Sequence, residues 1–251
     1  MRPLAAALAW SRGTLPLLAA LGLWQVLGNI SPQFPPPSAW FAALLNLGRG
    51  GQLMAACSET LRILVISLVL STLVGFALGL LIGMSQRLQE WSALLLEYCR
   101  AIPQPVLIPV FVLLLGYSDL MKVIVIGFAC LWPVLLNTMS GVAQIRPLTF
   151  DVARSLRLTR LDTLRKIVVP ATVPSLLLGL RVALPHAIII TLVMEMFTGA
   201  VGIGGLMIVA QRKFNAPEVF GLLVLVGCLG YSLTVLFSAV ERLVLSRWAP
   251  R

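Results

Sequence analysis

The chain is predicted to be an all-α membrane protein with about six transmembrane helices. Of its 251 residues, 59% are hydrophobic and only 11% charged, and its mean hydropathy is +0.98. A soluble domain of this length needs far more charge to cover its surface. Charge-free apolar runs of about twenty residues recur along the sequence, each long enough to cross a hydrocarbon core. No polar stretch between them could hold a soluble domain.

The first run, 15–30, follows Arg2 and Arg12 and precedes a Pro-rich turn at 31–37. It lacks a small-x-small cleavage site, so it reads as a retained helix and not as a secretory leader. Residues 38–47 place Trp40, Phe41, Leu44 and Leu45 on one helical face. They are too short to span and are expected to lie at the membrane interface. The second span, 63–84, carries Gly75, Gly79 and Gly83, a stripe that lets another helix approach closely. The third, 86–116, is mixed up to Arg100 and then interrupted by Pro103, Pro105 and Pro109. Prolines free backbone carbonyls that need partners in lipid, so this segment is expected to face the protein interior or a pathway.

The fourth span, 123–142, has Asn137 and Thr138 as its strongly polar groups. The fifth, 172–197, contains Arg181, His186 and Glu195, and the Gly-rich stretch 199–205 follows it as an external turn entering a short helix. The sixth, 219–240, ends at Glu241 and Arg242. The expected organisation is an N-terminal helix with an external interfacial segment (1–60) and a core (61–245) carrying a loop at 146–170.

The net charge of +10 comes from cations in short loops, where membrane topology accounts for them without nucleic acid. With the N-terminus inside, Arg2, Arg12, Arg87, Arg100, Arg146, Arg154, Arg157, Arg160, Arg165, Lys166, Arg242, Arg247 and Arg251 fall on the inner side. Only Arg49, Arg62, Lys122, Arg212 and Lys213 fall outside, so both termini are expected in the cytoplasm. Cys57, Cys99, Cys130 and Cys228 form no CxxC pair and imply neither metal nor disulfide.

The loop at 146–170 is the most charged stretch. Val152 and Leu156 share one helical face, and Leu161, Leu164 and Val168 share another, opposite Asp162, Arg165 and Lys166. It is expected to form two short amphipathic helices at the membrane face. They serve either as an interfacial element or as a docking surface for a cytoplasmic partner.

Asp151, Ala153, Ile167, Val169 and Pro170 resemble, in register, the Glu-Ala-Ala, three residues, Gly, nine residues, Ile-x-Leu-Pro loop of ABC importer permeases. Pro170-Ala171-Thr172-Val173-Pro174, Gly179-Leu180-Arg181 and Glu195-Met196 are similar to the nitrate/sulfonate/taurine branch, as are Arg100-Ala101-Ile102-Pro103 and Asn137-Thr138. Two positions depart from the motif: Val152 replaces its first Ala and Arg157 its Gly. A Gly permits a turn that a side chain resists, so Arg157 is expected to straighten the turn or impose another geometry.

The resemblance implies a type I ABC importer permease architecture in a bacterial inner membrane. It further implies a separate ATP-binding subunit holding ATP and Mg, a periplasmic or lipid-anchored substrate-binding protein, and a second permease copy. The chain itself has no GxxxxGK[ST] loop to cradle phosphates, and no cofactor is expected in it. The ATPase-docking residues implied are Asp151, Val152, Ala153, Leu156, Arg157, Leu161, Leu164, Ile167 and Pro170. Pro103, Pro105, Asn137, His186 and Glu195 are the candidates for lining a pathway.

Arg181 and Glu195 lie fourteen positions apart, about 21 Å of helix rise, and cannot pair on one straight helix. Arg181 is expected to snorkel toward the cytoplasmic end, and Glu195 to cap a neighbouring helix or line the outer vestibule. His186 reads either as a satisfied interior histidine or as a proton relay. The expected cargo is a small anion such as a sulfonate, taurine or nitrate, with a thiamine-precursor pyrimidine or other small heterocycle as the alternative. An intramembrane enzyme is the distant alternative, and the sequence offers it no paired carboxylates, HExxH site or Ser/His/Asp set. A secondary transporter would be expected to show internal repeats, which are not evident.

Overall fold

A computed structural model describes residues 15–16, 18–28 and 33–246. Arg2, Arg12, Arg247, Arg251 and parts of the expected first span and Pro-rich turn lie outside the described residues. The helices in order are α1 (Leu18–Leu27), α2 (Pro37–Arg49), α3 (Gln52–Gly83), α4 (Gln86–Ala101), α5 (Gln104–Leu115) and α6 (Asp119–Ala143). They continue with α7 (Pro147–Ser155), α8 (Arg160–Thr163), a π-helical turn (Leu164–Val168), α9 (Val169–Thr198), α10 (Ile203–Arg212) and α11 (Ala216–Leu245).

Among the described residues four helical runs are long and apolar enough to span a membrane: α3, α6, Arg160–Thr198 and α11. The pair α4 and α5, bent by 90° at a short break, makes a fifth, and α1 is a shorter apolar helix. The bend falls at Ile102, which is extended because the following Pro103 disfavours helix there. Sequence reasoning expected three prolines to free carbonyls. In the structure Pro103 caps α5 and Pro105 sits in its first turn, where no interior bond is lost. Only Pro109 lies inside α5.

The core is α6 held between α3 and α9. The small residues of α3 recur every fourth position, and all are buried: Ser67, Ser71, Gly75, Gly79 and Gly83. A side-chain carbon added at Gly79 would stand 2.6 Å from Thr138 Cβ and 2.8 Å from the Leu135 carbonyl oxygen, so only hydrogen fits between α3 and α6 there. On the other side of α6, Gly141 faces Ser175, and Gly179 faces the Pro133 carbonyl. Lipid offers no hydrophobic drive for helix pairing, so this close approach and its dispersion contacts hold the three helices together.

At one edge, Trp24 of α1, Trp40 of α2 and Phe220 of α11 form an aromatic cluster. The two Trp rings meet edge-on at 5.1 Å, and Trp40 stacks on Phe220 at 5.5 Å. Trp40 Nε1 donates to the Pro35 carbonyl at 2.8 Å, which satisfies its polar end.

Candidate functional site

Three regions of the bundle carry groups that lipid packing does not explain: the α7–α8 loop, the opposite end of the bundle, and one stripe of α9.

The loop is anchored on one side and bare on the other. Phe150 and Leu164 pack beside Leu80, Val142 and Val168, at the near ends of α3, α6 and α9, and Ala153 is only 2% exposed. Facing away are Leu148, Val152, Leu156 and Leu161, each at least half exposed. Of the expected docking residues, Asp151, Val152, Leu156, Arg157 and Leu161 are exposed. Leu164, Ile167 and Pro170 are half-buried. Ala153 is inside the loop's own packing, so it is not a surface available to a partner. The α-helical period groups residues by face but does not say which face the core takes.

The two expected amphipathic helices are also corrected. Only α7 is a helix of some length; α8 is a single turn that runs through the π turn directly into α9. Pro170 has no N–H to donate one turn back, and its ring crowds the carbonyl there, so the helix widens just before it.

Arg157 neither straightens the turn nor changes it. It holds the left-handed geometry of a glycine, φ +51°, at the end of α7. Its N–H donates to the Arg154 carbonyl at 2.9 Å, and the Leu158 N–H donates to the Ala153 carbonyl at 3.0 Å. These two bonds make a Schellman cap, which holds the backbone in a conformation that costs a non-glycine residue about 1–2 kcal/mol. Beyond it, Thr159 caps α8 by accepting from the Asp162 N–H at 3.1 Å. Asp151 pairs with Arg154, and Asp162 with Lys166 at 2.8 Å. Among the described residues Arg146, Arg157, Arg160 and Arg165 are exposed and form no ion pair, so the loop that carries the bare apolar face is also cationic.

At the opposite end Glu195 is 2% exposed. Its Oε1 accepts from Thr60 Oγ1 at 2.8 Å, and its Oε2 accepts from the Gly204 N–H at 2.8 Å. Thr60 Oγ1 in turn accepts from the Ile203 N–H at 2.9 Å. One carboxylate and one hydroxyl thus satisfy the first free N–H groups of α10 and tie it to α3 and α9. The glycines at 199–205 make room for this: Gly202 has φ +155°, and a side-chain carbon there would lie 2.2 Å from Glu195 Cδ. At Gly205 it would lie 1.9 Å from the Ala200 carbonyl oxygen. Glu195 therefore caps a helix and is enclosed within this protomer.

Beside this knot, Arg62 pairs with Glu59 at 2.8 Å and with Asp119. Lys122 lies 3.1 Å from Asp119 and 3.6 Å from Glu59. The four charges close the end of the α3–α6 pair, and Glu59, Asp119 and Lys122 border a cleft of about 430 Å³ with Tyr117 and Thr198. Sequence reasoning counted Arg62 and Lys122 as loop cations and missed this arrangement. The only signal for it was that each lies within three or four residues of an acid.

The remaining pathway candidates do not converge. Pro103 is exposed and Pro105 half-buried on α5. Asn137 is half-buried and donates to the Pro133 carbonyl at 2.8 Å. His186 is exposed, which differs from the interior position expected of it, and its Nδ1 lies 2.9 Å from the Val182 carbonyl. A carbonyl only accepts, so Nδ1 is the donor in this contact. Among the described residues no group of His, Cys, Asp and Glu could hold a metal ion.

Residues 71–250 match the family of binding-protein-dependent transport system inner membrane components. A Bacillus subtilis protein whose name assigns it to aliphatic sulfonates transport is 25% identical over 95% of this chain and 88% of its own length. The nitrate import permease protein of Leptolyngbya laminosa is 28% identical over 92% and 84%. The formylaminopyrimidine transport permease protein of Halalkalibacterium halodurans is 29% identical over 87% and 90%. Among solved structures, an inward-facing MetNI methionine ABC transporter chain superposes with a TM-score of 0.66 at 19% identity, covering 78% of this chain and 98% of the other, which establishes a shared fold. The chain belongs to the binding-protein-dependent transport system inner membrane components, and it is a translocation subunit of an ABC importer, not an enzyme.

Proposed function

We propose that this chain is one of two identical pore halves in an importer for small oxyanions, with its 146–170 loop seated in a cytoplasmic ATP-binding subunit. ATP and Mg are then held by that subunit, since the chain has no phosphate loop of its own. A substrate-binding protein delivers cargo at the opposite end, and both termini face the cytoplasm, a reading supported by the excess of cations in the loops on that side. The observation that carries the docking reading is the bare face of Leu148, Val152, Leu156 and Leu161 on this cationic loop. Exposed apolar groups gathered this way at a polar end of a membrane protein are a surface awaiting a partner. The oxyanion reading is supported by relatives named for sulfonates and nitrate. A heterocyclic cargo is the second reading, favoured by the relative named for formylaminopyrimidine. Ligand screening of the binding protein separates the two.

The docking test uses the complete transporter. Val152→Asp with Leu156→Asp is expected to abolish co-purification of the ATP-binding subunit while the thermal unfolding of the permease stays unchanged, because both side chains are exposed. A cysteine at position 155 in a chain without other cysteines is expected to react only with a reagent supplied from the cytoplasm. Retained co-purification, or labelling from the outside alone, sinks the proposal.

A further inference from the structure

The exposed stripe of α9 places a positive charge at the level of the bundle centre. Its members, Leu178, Arg181, Val182, Pro185, His186 and Ile189, follow the helical period along the middle of α9, where the positions between them are buried or half-buried. Contacts on the far side of α9 fix their depth. Gly179 faces the Pro133 carbonyl and Val134 Cα, and Cys130 Sγ lies 3.7 Å from the Ala183 carbonyl. Arg181 is therefore level with residues 130–134, the middle of the 25-residue α6. Either end of α6 is about 18 Å away, so no Arg side chain snorkels out from there. The reading that placed Arg181 near the helix end is corrected by these contacts with the middle of α6.

Arg181 has no ion pair or hydrogen bond among the described residues. A charge at this depth does not face hydrocarbon; it faces a partner charge or a water-filled space. The nine acidic residues of the chain leave none free to meet it. Glu59 and Asp119 are paired at one end, Glu195 is enclosed in the α10 cap, and Asp151 and Asp162 lie in the loop. Glu97 pairs with Arg100, Glu90 accepts from Gln86, and Glu218 and Glu241 sit near the two ends of α11. A second copy would carry the same distribution.

We propose that Arg181 is the anion-selecting residue of the translocation pathway, its guanidinium facing the aqueous route between protomers and receiving an oxyanionic cargo. The guanidinium fork matches the paired oxygens of a sulfonate, nitrate or carboxylate. His186, about 7.5 Å of rise further along, lies on the same exposed stripe. This rests on the importer reading above and adds to it a specificity-determining group on the pathway wall.

The test needs no knowledge of the cargo. In the complete transporter in proteoliposomes, Cys57, Cys99, Cys130 and Cys228 are changed to Ala, and Val182→Cys or Ile189→Cys is introduced. Each thiol is reacted with a sulfonate-bearing or an ammonium-bearing methanethiosulfonate, with rates normalised to those for free thiol in solution. The anionic reagent is expected to react about tenfold faster at Val182→Cys, with a smaller preference at Ile189→Cys. Arg181→Gln should erase the preference, and Arg181→Lys should keep most of it. No reaction at either position, or no preference with Arg181 in place, overturns the proposal. A preference that survives Arg181→Gln also overturns it. Co-purification of the ATP-binding subunit with the same preparations is read separately: its presence beside a failed charge preference defeats only the role of Arg181, and its absence defeats the importer reading.

Discussion

The two ends of the bundle solve their polar problems differently. At the loop end each charged pair spans three or four residues, Asp151 with Arg154 and Asp162 with Lys166, and the caps of α7 and α8 are closed by neighbours in sequence. At the opposite end local pairs such as Glu59 with Arg62 are joined by partners 57, 135 and 143 positions apart. The loop end is locally complete and leaves apolar surface uncovered. The far end is completed only by three helices meeting, and its central carboxylate is enclosed. Local closure makes an element that can meet a separate protein without unravelling its host. Cross-helix closure makes one that fixes how its host is put together.

That contrast predicts a graded response to mutation. Glu195→Ala strands the Gly204 N–H and the Thr60 hydroxyl in a buried site, and should cost about 3 kcal/mol, at roughly 1–3 kcal/mol for each unsatisfied group. Thermal unfolding in nanodiscs should drop by several degrees or more. If it does not move, the knot is not what holds α10. Arg157→Gly should raise stability by about 1 kcal/mol by relieving the left-handed strain, with uptake retained. Loss of uptake would show that the guanidinium itself contacts the partner. Lys166→Ala breaks an exposed pair and should leave the melting curve unmoved. A measurable drop would mean that the loop end is less locally closed than its hydrogen bonds indicate.

Much of the membrane architecture was legible in the chain because hydrocarbon imposes it directly. Apolar runs mark the spans, and Gly75, Gly79 and Gly83 mark the face of α3 that α6 approaches. The position of the loop followed from charge and from its resemblance to a family motif. What stayed hidden depended on distance. Nothing near Glu195 in sequence announces Thr60 as its partner. Ala153 shares its loop with Val152, and periodicity alone could not tell which of the two faces inward. The depth of Arg181 was misread because the helix was taken to begin at residue 172. The contacts of Gly179 and Ala183 with Pro133, Val134 and Cys130 instead set it level with the middle of α6. Arg157 shows the converse: its identity argued against the turn, and two backbone bonds preserve the turn regardless.

The enclosed carboxylate also sets a timetable for biogenesis. Thr60 enters the bilayer with α3 and must wait 135 residues of synthesis for Glu195, and a little longer for the Ile203 and Gly204 amides. At the usual pace of translation that is on the order of ten seconds. Throughout that interval the nascent chain holds a hydroxyl, and at the end briefly a carboxylate, with no permanent partner. Insertion machinery that releases the chain before α10 emerges would release it with an acid in lipid, so the last fifth of the polypeptide is what commits the first half to its place.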